Sequence, residues 1–113
     1  MKDFTYFNEL SVAVTVCDSK GIILYMNDKS AATFTKDGGS DLVGKSVLDC
    51  HPEPARGKLQ ALLDSHATNS YTIEKGSKKK LIHQTPWFEC GEFMGLIEFS
   101  FEIPADLPNF KRG

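Results

Sequence analysis

A chain of 113 residues, 41% hydrophobic and 25% charged, has the composition of one globular domain with a modest core. Its formal net charge of −2 excludes the basic field of a nucleic-acid binder, and its only basic run, Lys78-Lys79-Lys80, fits solvated charge at a sheet edge. No segment approaches the ~18 apolar residues of a membrane span or the apolar stretch of a leader, and Cys17, Cys50 and Cys90 have neither disulfide-framework nor zinc-ligand spacing, so a cytoplasmic protein with reduced thiols is expected.

Residues 4–10, FTYFNEL, form an aromatic-rich segment expected to be helical. VAVTVC (12–17) and IILY (22–25) are β-branched runs joined by Asp18-Ser19-Lys20-Gly21, a turn signal, and so predict a hairpin. The first run is apolar at nearly every position, as in a strand covered on both faces. Asn27 can cap a short helix in NDKSAATF, on which Ala31 and Phe34 share a face. TKDGGSD (35–41) is expected as loop, and LVGKSVLDC (42–50) holds at most one helical turn.

ARGKLQALLDSH (55–66) places Ala55, Leu59, Leu62, Leu63 and His66 at helical spacing and predicts the longest helix. The two preceding X-Pro steps disfavour helix before Pro52 and Pro54, so the start is expected between residues 52 and 54, with Asp49 or a neighbour near the cap. SYTIEK (70–75) and KKKLIHQTPWF (78–88) flank Gly76-Ser77 as a second hairpin, and FMGLIEFSFEI (93–103) follows another turn. Period two puts Phe93, Ile97, Phe99 and Phe101 on one face of that last strand. Pro104 and Pro108 open a tail over 104–113. The whole reads as a single α+β domain, with an antiparallel sheet and helices packed on one face.

This order resembles the PAS sensory domain family. "VCDSKGIILYMN" is similar to the opening PAS hairpin with its D-x-x-G turn and following asparagine. "YMNDKSAATF" resembles the segment before the first central helix, "LVGKSVLDC" the L-x-G-x-x segment, and "KLIHQTPWF…GEFMGLIEFSFEI" the closing strand pair. The likeness covers roughly residues 8–103 of the 113. It implies a five-stranded antiparallel sheet in order 2-1-5-4-3, signal input, and dimerisation through the N-terminal segment and the outer sheet face. In that order the fourth strand is internal yet holds Pro86. A short third strand, covering only about residues 78–83 of its partner, would leave Pro86 where no neighbour needs its missing N–H.

Polar and aromatic residues near such a cavity are the candidate ligand contacts: His51, Tyr25, Asn27, Phe34, His83, Gln84, Trp87 and Phe99. The Asp49-Cys50-His51-Pro52 run reads first as helix initiation, with His51 as a cavity-lining polar group beside it. Cys50 and His51, adjacent at a helix start, diverge by about 100° and make a poor catalytic dyad, so Cys50 is expected as a small buried apolar residue. His83 and Gln84 point to opposite faces of one strand, and parity does not say which enters a cavity. Trp87, Phe88, Phe93, Phe99 and Phe101 are expected as core, with stacking on a planar ligand the alternative. Tyr25 and Asn27 carry a structural reading beside the ligand one.

The cofactor stays unassigned. Haem through His51 is disfavoured because haem-binding relatives place the ligand within the long helix. A flavin-thiol adduct is disfavoured because no cysteine sits in the N-C-R-F-L-Q-type motif of that branch. No metal site and no enzymatic base are expected, since the carboxylates fall mostly in turns or at exposed strand positions and Glu98 lies opposite in parity to the aromatic face. The expected function is a sensory module that binds a small molecule and signals through a dimer to an output domain or partner protein. The alternative is a ligand-free interaction module.

Overall fold

The computed structural model describes residues 4–49 and 51–113; Cys50, and with it the expectation of its burial, lies outside the described residues. After one turn of helix, α1 (Thr5–Asn8), β1 (Ala13–Cys17) pairs antiparallel with β2 (Ile23–Met26). Asp18 closes their turn because its Oδ1 accepts from the backbone N–H groups of Lys20 and Ile22, both at 2.9 Å. Four of the five β1 residues are buried, as expected of a strand covered on both faces.

Asn27 caps α2 (Asp28–Thr33), its Oδ1 accepting from the Ser30 N–H at 3.0 Å. The loop expected over 35–41 contains two short 3-10 turns, Thr35–Asp37 and Gly39–Leu42. The chain then runs back along β2. The Ile23 N–H donates to the Lys45 carbonyl at 2.9 Å and the Gly44 N–H to the Ile23 carbonyl at 2.8 Å, which covers part of that sheet edge.

The long helix, α3 (Ala55–Ser65), begins one residue later than expected, behind Pro54, and Asp49 does not cap it. Glu53 does that work from outside the helix: its Oε1 accepts from the Gly57 N–H at 2.6 Å, one of the amides a helix start leaves unpaired. Asp49 lies 4.0 Å from Arg56 on the open surface, where an ion pair contributes little. α3 turns Leu59 and Leu63 inward. His66 ends it in a left-handed conformation and stacks on Phe93, ring centroids 3.7 Å apart.

β3 (Asn69–Lys75), β4 (Lys78–Glu89) and β5 (Glu92–Ile103) complete a five-stranded sheet in the order β2-β1-β5-β4-β3. The two-residue turn Cys90-Gly91 has positive φ at both positions, 50° and 80°, the combination whose twist matches a hairpin. β3 pairs with β4 only as far as Asn69 opposite Gln84, one residue beyond expectation. Pro86 therefore pairs on the β5 side alone, where its missing N–H leaves no gap.

A bulge between Trp87 and Phe88 changes which residues of β5 share a face. Phe93 packs against the inner core, while Ile97 and Phe99 line a groove on the outer face, so the expected single aromatic face is broken. Phe88, expected as core, is 52% exposed. At the bulge Gly95 has φ 149°, and a Cβ there would run into the Cys17 carbonyl oxygen and the Asp18 backbone. The main core lies between sheet and helices, built by Cys17, Ile23, Leu42, Val47, Leu59, Leu63 and Leu96.

Candidate functional site

That core is not completely filled. A cavity of about 50 Å³ remains, room for about three or four waters or a ligand of a few heavy atoms. Its floor is the inner sheet face: Thr15 and Cys17 from β1, Gln84 from β4, Leu96 and Glu98 from β5. Ile23 and Met26 close one side. Phe34, Leu42, Val47, His51 and Leu59 form the roof.

Of the eight candidates from sequence, three line this cavity: His51, Phe34 and Gln84. The other five do not. Asn27 is 1% exposed, and all its side-chain capacity goes to the backbone. Its Oδ1 accepts from the Val14 and Ser30 N–H groups at 2.9 and 3.0 Å, and its Nδ2 donates to the Phe7 and Val12 carbonyls, both at 2.8 Å. The Tyr25 hydroxyl donates to Asn8 Oδ1 at 2.5 Å, and its ring stacks on Phe4. His83 Nδ1 bonds the Ser70 hydroxyl across the β3–β4 pair at 2.6 Å. Trp87 and Phe99 line the outer groove, with Trp87 Nε1 donating to the Cys17 carbonyl at 3.0 Å. Strand parity had separated His83 from Gln84; the structure sends Gln84 inward.

His51 stands four residues ahead of α3, where the field of that helix terminus has little reach. Its Nδ1 lies 2.7 Å from the Val47 carbonyl oxygen. A carbonyl only accepts, so Nδ1 carries a proton, and in the neutral tautomer with that proton the lone pair is on Nε2.

Sequence reasoning set Glu98 aside because it lies opposite in parity to the aromatic face. The opposite face is the cavity floor. Glu98 Oε1 accepts from Gln84 Nε2 at 2.9 Å, and Gln84 Oε1 in turn accepts from Asn69 Nδ2 at 3.0 Å. Burial pushes the Glu98 carboxyl up, against the Gln84 hydrogen bond and the attraction of His51, which lower it. The available signal was an acidic residue alternating with Leu96 on the strand face that α3 covers. Burial also pushes the Cys17 thiol up, which suits packing rather than nucleophilic attack.

The raised carboxyl predicts a pH effect. The unfolded chain ionises Glu98 near ~4.3, while the folded chain holds the proton to higher pH. The folded state binds more protons in that interval, so stability falls as pH rises through it. Glu98→Gln, which keeps the acceptor for Gln84, should remove this decline and raise Tm at pH 7 by about 4 °C or more, roughly 1 kcal/mol in a domain near this size. Parallel wild-type and variant Tm profiles between pH 4 and 8 would contradict a desolvated carboxyl.

The outer face carries a second, larger groove of about 490 Å³, lined among others by Phe4, Phe7, Val14, Leu24, Ile97 and Phe99. Beside it Leu24 and Phe7 are 46% and 38% exposed. Among the described residues, no group of three or more His, Cys, Asp or Glu side chains could hold a metal ion, and no helix is long and apolar enough to cross a membrane.

The family model described as PAS fold matches residues 7–103. No curated protein matches the chain. Among solved structures, a C-terminal domain from Streptococcus mutans superposes with a TM-score of 0.69 at 21% identity, over 87% of this chain and 80% of that one. The PAS domain of Bordetella pertussis BvgS gives 0.68 at 16%, over 89% and 83%. A Vibrio cholerae receptor described as a dual PAS-heme oxygen sensor gives 0.61 at 19%, over 82% and 95%. The residues here do not fit a haem. A porphyrin outsizes the drug-like ligands that occupy about 300–1,000 Å³, and the cavity offers about 50 Å³.

Proposed function

The chain belongs to the PAS fold family, and on that premise we propose that it is a signal-input module whose inner cavity takes a small molecule and whose outer sheet face dimerises. The observation that carries the ligand reading is the cavity itself, an apolar space with His51, Gln84 and Glu98 converging on it. A filled cavity would favour one packing of β1, β4 and β5 over another. Since adjacent residues of β5 line the cavity and the outer groove, that preference reaches the dimer face. The unbridged Cys17 and Cys90 fit a reducing compartment such as the cytoplasm. Output would come from another domain or a partner protein.

Native mass spectrometry set against the denatured mass, followed by thermal shift against a small-molecule library, tests the ligand reading. A bare mass and no stabilising compound would leave a ligand-free interaction module. The dimer reading makes a separate prediction. Leu24→Glu places a charge on the exposed outer face and should convert a dimer to a monomer in light scattering with Tm nearly unchanged. A wild-type monomer at micromolar concentration would refute it.

A further inference from the structure

The polar groups of the cavity have an uneven donor and acceptor balance. Gln84 Nε2 is engaged by Glu98 and Gln84 Oε1 by Asn69. The Thr15 hydroxyl bonds the Ser30 hydroxyl at 2.5 Å. His51 Nδ1 is committed to the Val47 carbonyl. Among the described residues, two nitrogen or oxygen atoms on cavity-lining side chains make no hydrogen bond: Glu98 Oε2 and His51 Nε2. With Nδ1 protonated, Nε2 of a neutral ring is an acceptor, and a carboxylate oxygen is an acceptor as well.

The charge balance points the same way. Among the described residues, no lysine or arginine lines the cavity. Among the described residues the ion pairs of Arg56 with Asp49 and of Lys78 with Glu102 are both at the surface, and no lysine, arginine or histidine nitrogen lies within ion-pair distance of Glu98. An anionic ligand would meet the Glu98 carboxylate in a largely apolar space with only Gln84 and His51 to offset it, which is unfavourable. A cation would supply the missing partner. The remaining walls, Ile23, Met26, Phe34, Leu42 and Leu59, are apolar and suit a short alkyl group, with an aromatic ring available to the cationic head.

We propose that the cavity selects a small primary alkylammonium ion, held by Glu98 Oε2 and His51 Nε2, with its alkyl group against the apolar roof. This rests on the ligand-sensing reading above and narrows it to a chemical class. Three N–H donors on one small head can serve both acceptors together, and about 50 Å³ limits the ligand to a few heavy atoms.

Thermal shift of the full chain at pH 7.5 tests this with ethylammonium chloride, sodium propionate and propanol, at ionic strength matched with sodium chloride. Ethylammonium should raise Tm saturably, while propionate and propanol leave it unchanged. Glu98→Gln should weaken the apparent ethylammonium affinity at least tenfold while the unliganded variant is more stable than wild type. A residue needed only for packing would not give that opposite pair of effects. Stabilisation by propionate or propanol equal to that by ethylammonium, or an ethylammonium shift preserved in Glu98→Gln, would overturn the ligand class and leave the cavity-sensor reading standing. No shift from any of the three probes would overturn the ligand class, with the sensor reading then decided by the library and native-mass measurements.

Discussion

Gly95→Ala is expected to lower stability by about 3 kcal/mol or more, which in a domain near this size lowers Tm by roughly 10 °C or more. Two causes act together. The φ of 149° is one that side chains rarely adopt, and the new Cβ would occupy the space of the Cys17 carbonyl oxygen. That oxygen is held in place by Trp87 Nε1, so β1 cannot withdraw without breaking a hydrogen bond in a half-buried region. Gly76→Ala is the control. Gly76 also has a positive φ, 64°, but a Cβ there meets nothing within 4 Å, so only the backbone preference of about 1 kcal/mol is lost. Urea unfolding of both variants separates the effects. Equal losses would mean that β5 and β1 do not approach as closely as described.

Asn27→Ala should rank with it. The asparagine ties α1, β1 and the start of α2 together through four hydrogen bonds at a position that water does not reach. Truncation leaves the Val14 and Ser30 amides and the Phe7 and Val12 carbonyls to find other partners. Unpaired buried groups cost about 1–3 kcal/mol each and a lost cap about 1 kcal/mol, with partial relaxation, so a loss of about 3–5 kcal/mol is expected. Asn27→Ser should recover only the capping part, about 1 kcal/mol, because its short side chain does not span from Ser30 to Val14. Asn27→Asp keeps the acceptor but sets a second carboxylate oxygen against two carbonyls, and should be no better than alanine. Hydrogen exchange gives the local readout: the Val14 amide should lose protection in the alanine and serine variants and keep it in Asn27→Asp, which retains the accepting oxygen. Unchanged Val14 protection in Asn27→Ala would show that another group satisfies it.

Much of the architecture was legible because local rules and chain order agreed. Asp18 signals its turn through a side chain that replaces backbone partners, and Asn27 signals a helix start in the same way. Pro86, an apparent contradiction, became a constraint on how far β3 extends. The site was less legible, for a physical reason. Alternation separates two faces of a strand but does not identify the one that helices cover, and both faces here carry apolar residues. Trp87 and Phe99 were attractive as ligand contacts yet belong to the outer groove, whereas Glu98, set aside for its parity, lies on the cavity floor. His83 and Gln84 show the same ambiguity. The bulge at Trp87 and Phe88 adds a second difficulty: one extra residue turns Phe93 away from the face that period two assigns to it, and its signal is the conformation of Gly95 rather than the hydrophobic pattern.

The bond from Trp87 to the Cys17 carbonyl has an optical consequence. Trp87 is the only tryptophan in the chain, so indole emission comes from one site on the outer face. Its N–H is fixed to the residue whose side chain lines the cavity. Any ligand that shifts Cys17 alters the environment of the sole indole, and the protein thus carries an intrinsic fluorophore that can follow filling of the inner cavity from the opposite side of the sheet.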